Sequence, residues 1–76
     1  MQRYKVTFTY AEPTYAQARG IAERAYRAPF EVLAIDPTAA IERAMALFEA
    51  AQRESGVSWA RVIQTTTCEV VARSVG

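Results

Sequence analysis

The residues best suited to chemistry in this chain are arginines and tyrosines, and the chemistry they suit is recognition. Tyr15, Arg19, Arg24, Tyr26 and Arg27 fall within one stretch, TYAQARGIAERAYR. Both side chains offer large contact area at modest entropic cost, Arg through a planar fork of donors and Tyr through a rigid ring, and both are enriched at binding hot spots. If the stretch is helical, Arg24 and Arg27 lie on one side with Gln17 and Gly20, and Glu23, four residues from Arg19 and Arg27, can mute either charge. The ordinary reading of such residues is a solvated helix face, and the functional reading is a protein-binding face. A phosphate-tracking stripe is a third reading, disfavoured because Glu12 and Glu23 offset the Arg residues.

Catalytic constellations are scarce. There is no His, and Cys68 is the one cysteine, so an internal disulfide, an ordinary Ser-His or Cys-His nucleophilic site and the usual zinc ligand sets are all excluded. Cys68 sits in TTTCEVV without a basic neighbour to activate it and reads as a small buried hydrophobe. Of the carboxylates, Asp36 is committed to capping a helix, while Glu42 and Glu49 stand among Arg43 and Arg53, with Glu49 and Arg53 at the spacing of a helical ion pair. The expectation is a protein without enzymatic activity, cofactor or metal.

Nine basic and eight acidic residues leave a net charge of +1, which supplies no general attraction to nucleic acid or to an anionic membrane. The N-terminus lacks the apolar run of a signal peptide, and no stretch approaches the roughly 18 apolar residues that suggest a membrane span. A cytoplasmic protein is expected. Seventy-six residues suit a single compact domain, 1–76, and a chain this short buries only about 60% of its unfolded surface. A homodimer or a bound partner is therefore a reasonable source of added stability.

The elements that must carry these residues begin with Asp36 to Gly56, DPTAAIERAMALFEAAQRESG. Asp36 reads as an N-cap, Pro37 as the first helical residue and Gly56 as the left-handed stop, giving a long amphipathic helix over 37–54. Ile41, Ala44, Met45, Phe48 and Ala51 form its apolar stripe, widened by Leu47. Arg3 to Tyr10 alternates aromatic and β-branched residues with Lys and Thr, the best strand signal in the chain, and its aromatic face should lie on the helix. Thr14 to Arg27 reads as a short helix capped by Thr14, with a loop or a hairpin at Arg19 and Gly20 as alternatives. Phe30 to Ile35 is near-continuously apolar and suggests an interior strand. After Gly56, the Val-, Ile- and Thr-rich segment reads as one long or kinked strand. Unbroken, it would place Val62, Thr66, Cys68 and Val70 on one face and Trp59, Arg61, Ile63 and Glu69 on the other. Trp59 is expected to cap the end of the core, with a partner anchor as the alternative. Strand one and the Thr-rich strand could each be an exposed edge, and Arg73 to Gly76 a frayed tail.

The fold class that follows is α+β, a three- to four-stranded, mostly antiparallel sheet packed on the long helix. The order of YKVTFTY, FEVLAID, PTAAIERAMALFEAAQRESG and WARVIQTTTCEVVA, with the Ala-rich, Arg-over-Lys composition, resembles the very small α+β accessory proteins of bacteriophages, of which anti-CRISPR proteins are the best known. The resemblance covers most of the chain and rests on no residue motif. It implies a stoichiometric inhibitor that occupies a surface of a host defence complex, protein or ribonucleoprotein, without chemistry of its own. The alternatives are a small nucleic-acid binder using Arg19, Arg24 and Arg27, and a homodimeric structural module.

Overall fold

Asp36 sets the main helix as its sequence dictates. Its Oδ1 accepts from the Ala39 amide at 2.8 Å, Pro37 follows at the first helical position, and α2 runs Pro37–Glu54. Gly56 takes a left-handed φ of 70° just beyond, a conformation a Cβ would disfavour. The computed structural model describes residues 1–56 and 59–71, and its element order is β1 (Gln2–Ala11), α1 (Pro13–Arg19), β2 (Tyr26–Ala34), α2 and β3 (Val62–Val70).

The three strands form one antiparallel sheet in the order β2-β1-β3, so the architecture is α+β. β1 is central. Because β2 and β3 each run antiparallel to it, they are parallel to one another, and α2 joins them across the sheet as a split β-α-β unit. The turn from β2 into α2 spans only Ile35 and Asp36, as the cap predicts.

One layer of helix covers one face of the sheet. Tyr4, Val6 and Phe8 from β1, Val32 and Ala34 from β2, and Ala40, Ala44 and Phe48 from α2 form the buried cluster. Val6, Phe8, Ala34, Ala40 and Ala44 are wholly excluded from solvent. The two helical alanines let the α2 backbone approach the sheet, and Phe48 then drops between Phe8 and Phe30, with ring centroids 5.3 and 6.4 Å away. Beyond Phe48 the stripe ends: Ala51 and Leu47, expected to be buried, are exposed, and Ala40, outside the expected stripe, is buried. The sheet beneath is only three strands wide and one helix satisfies it.

Several expectations are corrected. The helix expected over 14–27 is one short helix ending at Arg19, because Gly20 adopts a left-handed φ of 66° and terminates it. Thr14 is not the cap: Pro13 starts α1 at its first turn, with Glu12 at the cap position. β2 starts at Tyr26 and passes through Pro29, so the strand expected over 30–35 is longer and displaced. It is also an edge strand, with Leu33 48% exposed, and an edge is where a proline can sit within a strand. The aromatic strand, β1, has no free edge. In β3 the pairing steps from Thr9↔Thr65 to Tyr10↔Ile63, leaving Gln64 as an extra residue. This bulge switches the faces, so Ile63 packs on the same core as Cys68, against the alternation of an unbroken strand. Among the described residues no ion pair joins Glu49 to Arg53. No helix among the described residues is long and apolar enough to cross a membrane. The expected tail 73–76 lies outside the described residues.

The close approach at Ala44 is testable. Ala44→Leu forces extra methylenes against the sheet and is expected to cost about 1–3 kcal/mol, whereas Leu at exposed Ala46 should stay within about 0.5 kcal/mol of the parent. Urea denaturation with an unchanged m-value measures both.

Candidate interaction surface at one end of the sheet

The end of the sheet where β1 leaves and β2 and β3 begin gathers Tyr10, Tyr15, Tyr26, Trp59, Arg19 and Arg61. Tyr10, near the end of β1, lies edge-on to Phe48 at 5.3 Å and stacks on Tyr26 at 5.5 Å, so the core runs without a gap into this end. Tyr26 opposes Tyr10 in the β1–β2 register, and the alternation that buries Val32 and Ala34 turns Tyr26 to the helix side with them.

Glu12 organises the next layer. It sits in the one-residue link between β1 and α1, with its side chain 14% exposed. Its Oε2 accepts from Trp59 Nε1 and lies 3.5 Å from Arg61 Nε. The Arg61 contact is electrostatic, since Nε is fully buried and has no acceptor in hydrogen-bonding geometry among the described residues. The guanidinium carbon of Arg61 instead stands 5.4 Å from the Tyr10 ring centroid, a cation–π distance. One carboxylate thus ties the chain ahead of β3 to the start of α1.

α1 carries the array outward. Tyr15 packs on Trp59 with ring centroids 4.6 Å apart, and the Arg19 guanidinium carbon lies 5.5 Å from the Tyr15 centroid. Ala16, one residue on, is buried and holds the helix down. From the core outward the sequence of contacts is Phe48, Tyr10, Arg61, Glu12, Trp59, Tyr15 and Arg19. Phe48 is buried, the members between are half-buried, and Arg19 is exposed.

Tyr15, Arg19 and Tyr26 are therefore brought to one end. Arg24 is exposed in the connection of residues 20–25 that leads into Tyr26, and this connection also exposes Ile21. Arg27 is separated from the rest, because its register opposite Thr9 places it on the sheet face that α2 does not cover. The expected helical side of Arg24 and Arg27 does not form, and Glu23 pairs with neither Arg19 nor Arg27 among the described residues.

The chain matches no family model, no curated protein and no solved structure.

On the uncovered sheet face Arg3, Lys5 and Arg27 are largely offset by Glu31 and Glu69. Lys5 stands between Glu31 and Glu69 in register, and Arg3 pairs with Glu31 at 3.5 Å, a contact more than half exposed on both sides and worth little. With Arg19, Arg24 and Arg27 divided among α1, a connection and this face, they make no continuous phosphate track.

Arg61, Glu12 and Tyr10 are not site residues on the sequence reading, and Trp59 is one only in its alternative role as a partner anchor. Glu12 and Trp59 are 47 positions apart, a separation at which no local periodicity carries a signal. Their coupling is measurable. Glu12→Ala leaves a mostly buried guanidinium unpaired and is expected to cost about 2–3 kcal/mol, part of which Arg61→Met should restore in the double variant. Urea unfolding of all four proteins should give non-additivity of at least about 1 kcal/mol, and additive losses would show that the pair acts independently.

Proposed function

We propose that this protein is a non-enzymatic binding module that presents Arg19, Tyr15, Arg24 and Tyr26 to a protein partner. The observation that carries the reading is the contact array of Arg19 on Tyr15 on Trp59, anchored through Glu12 and Arg61 to the core. Holding an arginine and aromatic rings in place before binding reduces the ordering cost of association, and such side chains are the usual energetic centre of an interface. The exposed Ile21 and Arg24 beside it extend the surface.

In its specific form the reading is that of a phage-type inhibitor occupying a surface of a bacterial host's CRISPR-Cas complex. Support for that form is the likeness to anti-CRISPR proteins in size, element order and composition. Blocking by occupancy requires only a stable surface and no chemistry.

Two measurements test the reading at its two levels. A host with active CRISPR immunity, expressing this chain, is expected to become sensitive to the targeted phage; failure across the CRISPR-Cas types tried removes the inhibitor form. Capture of the complex by the immobilised protein is expected to be lost with Arg19→Glu plus Arg24→Glu at unchanged thermal stability. Arg27→Glu, which alters the opposite face, should retain it. Equal capture by all three proteins would place the binding surface elsewhere.

A further inference from the structure

We propose that the outer edge of β3 is a self-pairing surface, on which a second copy of this chain lays its own β3 antiparallel about a two-fold axis at Thr67. The two edges of the sheet are unequal. On β2, Arg43 Nη1 donates to the Leu33 carbonyl at 2.9 Å. The N–H and C=O of one strand residue point to the same side, and the side alternates along the strand. Arg27, Pro29, Glu31 and Leu33 therefore turn their backbone groups away from β1. Of these, Pro29 has no N–H to offer and the Leu33 carbonyl is already engaged. Proline and a covering side chain are the devices that blunt an edge.

β3 has no such protection among the described residues. The Val71 amide donates to the Arg3 carbonyl at 2.9 Å, so by the same alternation Thr65, Thr67 and Glu69 bond inward to β1. Thr66, Cys68 and Val70 present their N–H and C=O groups outward, and the order β2-β1-β3 leaves no described strand on that side. Val62 to Val70 contains neither Pro nor Gly, and Glu69 is its one charged residue.

Charge and register select a second copy as the occupant. A two-fold axis at Thr67 sets Thr67 against Thr67, Thr66 against Cys68 and Thr65 against Glu69, so no like charges are opposed and Thr side chains meet across the strands. Five residues pair before the bulge at Gln64 bends the strand away. The two Glu69 carboxylates are then about 13 Å apart along the strands, and each keeps Lys5 beside it on β1. A charged foreign strand needs a run of like charges on the edge, and this edge carries a single charge, Glu69, which Lys5 faces. The product is a continuous sheet of six strands, three from each copy, with both α2 helices on one face. It leaves the Arg19 and Tyr15 end of each copy free.

Sedimentation equilibrium of the full chain over a concentration series tests this. The expected result is a mass approaching twice 8.4 kDa that falls toward 8.4 kDa on dilution. Thr67→Lys opposes two ammonium groups at the axis and should raise the dissociation constant about tenfold or more, with an unchanged circular dichroism spectrum. Thr66→Pro removes an outward N–H, as Pro29 does on β2, and should leave a folded monomer; should it fail to fold, Thr67→Lys alone decides. Pro29→Thr, on the other edge, should leave the dissociation constant unchanged. A parent chain that stays at 8.4 kDa at every concentration, or a dimer that Thr67→Lys does not weaken, overturns the proposal.

Discussion

The contact of Phe48 with Phe8 is the interaction on which the rest depends. Phe8 lies at the middle of the central strand with no exposure, and Phe48 reaches it from α2 across a layer made thin by Ala40 and Ala44. A three-stranded sheet beneath a single helix has few bulky side chains to bury, so this aromatic junction with Phe30 carries much of the hydrophobic gain. It also fixes direction. Once β1 and α2 are locked together, β2 and β3 have nowhere to pair except on either side of β1.

That constraint explains where recognition can reside. The helix-facing side of the sheet is spent on the core, and on the other side Glu31 and Glu69 offset all but one of the charges of Arg3, Lys5 and Arg27. What remains is the end of the sheet that α2 does not close, where Tyr10 passes the aromatic packing outward to Arg61, Glu12, Trp59, Tyr15 and Arg19. The same limited width that keeps the domain small leaves two strand edges, one blunted by Pro29 and Arg43 and one bare.

The legible parts of this fold are those whose signals are local. Asp36, Pro37 and Gly56 mark α2 to within a residue because capping is a contact between near neighbours, and the alternation of Tyr4, Val6 and Phe8 marks β1 because a half-buried strand repeats every second residue. The segment Thr14 to Arg27 is less legible, because sequence alone does not distinguish a Gly inside a helix from one whose left-handed φ ends it, as at Gly20. β2 reaches back past Pro29 to Tyr26, because a proline is harmless within an edge strand, and edge position is a tertiary property. The bulge at Gln64 leaves no trace in composition, yet it decides which face Ile63 occupies. Tyr15, Arg19 and Tyr26 could be named from residue type alone. Glu12 and Arg61 could not, and Trp59 only as an alternative anchor, since the meeting of the three depends on β1 and β3 lying side by side.

Recognition by this end of the sheet requires that the array be formed in the free protein. A nuclear Overhauser spectrum of the unliganded chain tests this most directly. The result expected is a set of cross-peaks between the Tyr15 and Trp59 rings, upfield-shifted Arg19 side-chain protons and a Trp59 indole N–H slow to exchange. Absent cross-peaks with random-coil shifts for Arg19, in a protein whose Phe8 and Phe48 rings still show contact, would contradict it.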